Sequence, residues 1–193
     1  MKILKTYREE TRAERTRNMS DDLRYPVGPC EWPAEVSAEE KRQHLRDIAE
    51  LPAKLRSAVA GLAPQHLDIP YREGGWTIRQ IVHHIPDSHL NSYVRFKLAL
   101  TENQPTIKPY DESRWAELPE ARTAPIEVSL DMVDALHRRW SLMLENMTDA
   151  DFERSILHPE IGALKLKSMV AGYGWHCRHH VAQIVATRRR MGW

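Results

Sequence analysis

Two histidines four residues apart carry the strongest chemical signal in the chain. They are His176 and His180, in the run Trp175-His176-Cys177-Arg178-His179-His180-Val181-Ala182-Gln183. Four residues is about one helical turn, so on a helix both imidazoles project from the same side. A paired grip of this kind is half of a metal site. A second group, His83, His84 and His89, lies near residue 85. One imidazole from that group would complete a three-histidine site with a coordination position left for water or substrate.

These residues need rigid elements to bring them together, and the sequence supplies four. Ser37-Ala38-Glu39-Glu40 reads as a capping box that opens a helix reaching about Leu62, with a kink at Pro52. Thr77 and Gln80 form a second capping box, for a helix reaching about Leu100. Pro86 lies inside it and predicts a kink or bulge near His84. Residues 103–127 hold four prolines and read as a long crossover. A third helix spans about Leu130–Met147. A turn follows at His158-Pro159-Glu160-Ile161-Gly162, with room for a small hairpin over 155–166. The fourth helix runs from about Ser168 to Arg190, and Arg188-Arg189-Arg190 complement its dipole. The fold class is all-α, a four-helix bundle with a long crossover connection.

On a helical wheel Met169, Val170, Tyr173, Val181 and Ile184 mark the inner stripe of the last helix. His176, His180 and Gln183 lie on it or at its edge, and His179 lies well off. Two imidazoles facing a core need polar partners, because an unpaired buried polar group costs free energy. A metal ion satisfies both; hydrogen bonds to carbonyls and side chains are the plainer alternative. On the second helix Ile78, Ile81, Val82 and Ile85 mark the stripe. His83 reads as a solvated surface residue. The wheel leaves His84 and His89 open as the third ligand, because Pro86 blurs the phase beyond it. Asp87, three residues after His84, could orient a ligand or serve as a base. Cys177 points about 100° from His176 and reads as a buried, inert thiol. His44, His66, His137 and His158 show no clustering, and Trp76, Trp140 and Trp175 read as packing residues.

Bulk composition bounds the function. The chain has 193 residues, with 28 basic against 27 acidic side chains and a net charge of +1. That balance argues against a nucleic-acid partner held by phosphate neutralisation. Two cysteines, Cys30 and Cys177, are too few for a disulfide framework and fit a reducing cytoplasm. The opening residues lack a signal-peptide core, and no stretch approaches a membrane span. Residues 1–18, charged and mixed in sign, read as a peripheral extension to a domain over 19–193.

Several stretches together resemble the DinB-like superfamily and, within it, the YfiT group. They are Leu23 to Gly28, Tyr71 to His84, Asp87 to Lys97, Lys108 to Glu112, His158-Pro159, and Trp175-His176 through Trp193. The resemblance covers about Asp22 to Trp193. It implies a four-helix bundle whose three histidines hold one zinc or nickel ion per subunit, with the ligands falling on His84, His176 and His180. It also implies a homodimer acting on a small molecule, either as a metal-dependent hydrolase or as a thiol S-transferase using a low-molecular-weight thiol such as bacillithiol. A non-catalytic metal-binding dimer is a third reading; it requires a closed fourth ligand, for which Cys177 and His89 are the candidates. Two features depart from the group's pattern: Pro86, where members carry a small non-proline residue, and the charged segment before Met19.

Overall fold

The computed structural model describes residues 23–193. The charged segment 1–18, and the domain start expected at Met19, lie outside the described residues. Four long helices dominate: α1 (Ala38–Val59), α3 (Ile78–Thr101), α6 (Ile126–Glu145) and α8 (Leu166–Met191). Short helices α2 (Pro64–Leu67), α4 (Glu112–Trp115), α5 (Pro119–Thr123) and α7 (Asp149–Phe152) sit in the connections. One hairpin, β1 (Ser155–His158) with β2 (Gly162–Lys165), precedes α8.

Both capping boxes form. The Glu40 amide donates to Ser37 Oγ at 3.2 Å and the Ser37 amide to Glu40 Oε2 at 2.8 Å. The Gln80 amide donates to Thr77 Oγ1 at 3.1 Å and the Thr77 amide to Gln80 Oε1 at 3.0 Å. Each box satisfies two backbone donors that have no partner within the helix. The Gln80 side chain also donates to the Ala116 carbonyl at 2.7 Å, tying the crossover to the start of α3. Pro52 and Pro86 each remove one backbone donor, yet α1 and α3 continue through them. α6 begins four residues before the expected start, immediately after Pro125, whose fixed φ suits a helix entry.

The packing gives the bundle its topology. α1 lies between α8 and α6, and α3 packs on the other sides of the same two helices. Along α3 and α6, His83 meets Ser129 and Phe96 meets Trp140, so this neighbouring pair is parallel. Along α1 and α8, Asp47 meets Arg178 and the Ala58 carbonyl meets Arg188, so that pair is also parallel. α3 and α8 are antiparallel, with His84 near His176 and His180 and the Ser88 carbonyl near Tyr173. A parallel pair consecutive in the bundle needs a chain that travels back along its length. Residues 102–125 do this, which is why the crossover is long. The core holds Ile48, Leu51, Leu55, Ile81, Ile85 and Trp140, all nearly or completely inaccessible.

Candidate metal centre

The inner stripe of α8 runs through Leu166, Met169, Val170, Tyr173, Cys177, His180 and Ile184, all buried. His180 therefore points into the bundle and His176, one turn earlier, sits at the stripe's edge. His84 reaches them from antiparallel α3. His176 Nε2 lies 3.2 Å from His84 Nε2 and 3.2 Å from His180 Nε2. One ring nitrogen from each of the three falls within 4.8 Å of the others. Nitrogens held about 2.0–2.1 Å from a tetrahedral ion stand about 3.3 Å apart, so the spacing fits a divalent cation.

The outer ring nitrogens show which way the protons lie. His180 Nδ1 is 2.8 Å from Gln183 Oε1, while the Gln183 amide nitrogen donates to the Arg24 carbonyl at 3.2 Å. That second bond fixes the amide, so Oε1 accepts and His180 carries its proton on Nδ1. His180 Nε2 is then a bare lone pair facing the other two rings. His176 Nδ1 has His89 Nε2 as its partner at 2.9 Å. Burial, more than any neighbouring charge, lowers the pKa of all three histidines: His84 and His176 well below the ordinary imidazole value, His180 to about 4. They are neutral at pH 7, the form a metal requires.

Trp76 roofs the cluster, its ring centroid 4.6 Å from that of His84 and 6.4 Å from that of His180. The loop bearing it is pinned by the Tyr71 amide donating to the Trp76 carbonyl at 3.0 Å. Gly75 permits the tight fold, since a Cβ there would fall 2.6 Å from the Tyr71 ring. The segment before α1 packs along α8 beside the cluster: Trp175 Nε1 donates to the Gly28 carbonyl at 2.9 Å, and Tyr25 approaches His179. Gly172 permits this approach, because a Cβ would meet the Trp32 ring at 2.3 Å.

Other sequence candidates are distributed as follows. Asp87 is half-buried, and burial first, then Glu120, raises its carboxyl to about 6. Among the described residues its side chain makes no hydrogen bond to the three histidines; their orienting partners are Gln183 and His89. Cys177 is buried, with its thiol pushed up mainly by burial, and lies outside the cluster. His83 is a correction: it is buried, with Nδ1 2.6 Å from Ser129 Oγ and Nε2 3.2 Å from the Ala124 carbonyl, because the crossover covers that face of α3. His179 is likewise buried off the stripe, stacked on Trp175 with ring centroids 4.2 Å apart, because the lead-in packs there. His137, which showed no sequence clustering, is buried beside His89. Its place on the α6 stripe Leu130, Val133, His137, Trp140, Leu144 was the available signal.

The DinB superfamily model matches residues 47–184. The chain belongs to the DinB superfamily. Within it, a Bacillus mycoides protein bearing the name "Putative metal-dependent hydrolase" is 48% identical over 172 residues, covering 89% of this chain and 99% of its own. A Bacillus cereus protein of the same description is 48% identical over 173 residues, covering 90% and 99%. Among solved structures, YfiT from Bacillus subtilis, described as "a probable metal-dependent hydrolase with an unusual four-helix bundle topology", superposes with a TM-score of 0.85 at 45% identity. That match covers 89% of this chain and 98% of YfiT. The DinB bundle is thus the fold of this chain, with a three-histidine cluster between α3 and α8.

Proposed function

We propose that the chain is a metal-dependent hydrolase in which His84, His176 and His180 hold one zinc or nickel ion. The observation that carries this reading is the convergence of three Nε2 atoms, two of them 3.2 Å from the third, with outer partners that place the protons on the far side of His176 and His180. A divalent ion held by neutral imidazoles keeps its full charge and brings the pKa of a coordinated water to about 7. Trp76 shields one side of the cluster and strengthens local electrostatics by excluding water. Asp87, half-buried one turn beyond His84 and with its pKa about 6, is the proposed proton acceptor. Neither residue that could close a fourth position belongs to the cluster: Cys177 lies outside it, and His89 bonds the outer nitrogen of His176. That arrangement favours an open, catalytic centre over a structural one.

Thiol S-transfer is the second reading. Its support is the neutral donor set and the lack of a hydrogen-bonded carboxylate at the three histidines among the described residues. Such a centre stabilises a thiolate directly, without a placed base. Metal-loaded protein assayed on an ester and amide panel, and separately with bacillithiol and monochlorobimane, separates the two. Turnover of an ester or amide that is lost in His176→Ala supports the hydrolase. Conjugation alone supports the transferase. No helix is long and apolar enough to cross a membrane among the described residues, and we place the protein as a homodimer acting on a small molecule, which light scattering tests.

A further inference from the structure

We propose that His89 and His137 are positioning residues for the metal centre: a buried file of imidazoles, anchored on the Ile48 carbonyl, places the proton of His176 on Nδ1 and aims its Nε2 lone pair at the point shared with His84 and His180. The inference rests on the metal-site reading above and follows from counting protons. His137 Nδ1 lies 2.6 Å from the Ile48 carbonyl, which can only accept, so His137 donates from Nδ1. A neutral imidazole has one N–H, so His137 Nε2 is an acceptor. His89 Nδ1, 2.8 Å away, must then donate to it. His89 Nε2 in turn accepts, and His176 Nδ1, at 2.9 Å, donates. One backbone oxygen on α1 thus sets the tautomer of a ring on α8 through rings on α6 and α3.

The opposite order needs a second proton on His137 and directs an N–H of His176 into the space where a cation belongs. The surroundings disfavour it. His89 is 0% and His137 1% exposed, and Trp140 and Tyr173 meet the His89 ring edge-on at 5.7 and 5.2 Å. Asp134, one turn before His137, is engaged by Arg56. A buried cation without its own counter-charge is costly. Metal-binding histidines are commonly oriented by a carboxylate or a backbone carbonyl. Here the carbonyl acts at a distance of two rings, adding orientation without adding negative charge.

The test uses the full chain labelled with nitrogen-15 at histidine. Long-range proton–nitrogen correlation on the metal-free protein should show neutral rings protonated at Nδ1 for His137, His89 and His176. A His89 proton on Nε2 overturns the proposal, whether or not any variant folds. Zinc titration against a chromophoric chelator gives the second arm. His89→Phe keeps the ring and loses both bonds, and should lower affinity ten- to a hundredfold. His89→Gln, whose amide can accept and donate, should return it to within about threefold of the native value. Unchanged affinity in His89→Phe, or no recovery in His89→Gln, also overturns it. A native protein that binds neither zinc nor nickel but shows the expected protons sinks the metal reading while the proton order stands.

Discussion

Two layers of histidine lie side by side in this bundle and use the same chemistry to opposite ends. In the upper layer, His84, His176 and His180 turn their Nε2 atoms toward one another, those of His84 and His180 each 3.2 Å from that of His176, and the outer partners leave Nε2 of His176 and His180 bare. In the lower layer, His89 and His137 join head to tail at 2.8 Å, and every nitrogen has a partner. Residue type is the same in both, all but half-buried His176 are buried, and burial depresses the pKa in both. The difference is geometric. Converging lone pairs call for a cation; chained donors and acceptors are complete without one.

The largest effect expected is one the layers share. Each buried neutral histidine has a folded-state pKa below its unfolded value near 6.5, with His137 and His180 at about 4. Between pH 6.5 and 4 the unfolded chain binds more protons than the folded one, so stability falls as pH falls. Each such group adds up to about 1.4 kcal/mol per pH unit in that window. Urea melts of metal-free protein should therefore weaken steeply from pH 6.5 to 4. A flat profile would mean that neither layer is held neutral.

Removing His176 breaks both layers at once. His176→Ala should lower zinc affinity at least about a hundredfold, beyond the usual effect of an outer partner, while circular dichroism keeps its helical amplitude. Unchanged affinity would leave the upper layer without a ligand role. Gln183→Leu tests the other orienting contact, since it leaves His180 Nδ1 unpaired. It should cost about tenfold in zinc affinity by calorimetry, and a native value would show that orientation on this side is free. The smallest effect sharpens the contrast. His179 is as buried as its neighbour His180 and its ring lies 4.8 Å away, yet it stacks on Trp175 outside the cluster. His179→Phe should leave zinc affinity within about twofold by the same titration, and a large loss there would redraw the site.

Much of the architecture was legible in the chain itself. Both capping boxes, the i, i+4 histidine pair, the long return connection and the hairpin after Phe152 are local patterns, set by backbone donors, helical period and the punctuation of proline and glycine. The choice of His84 needed the family resemblance, since the wheel could not follow α3 past Pro86. His83 read as a surface residue because its cover comes from the crossover, a segment without a period.

What sequence alone determined, then, is the four long helices, the hairpin and the pair of imidazoles on α8, because these depend on neighbours within a turn. Which nitrogen of His176 and His180 is bare was decided only in the folded molecule. A tautomer follows from the partner on the opposite nitrogen, and those partners, Gln183 held by the Arg24 carbonyl and His89 held through His137 by the Ile48 carbonyl, come from parts of the chain far apart in order. No helical period encodes a contact between residues 48 and 137, or between 89 and 176. Packing brings them together, and packing sets the direction of the lone pairs.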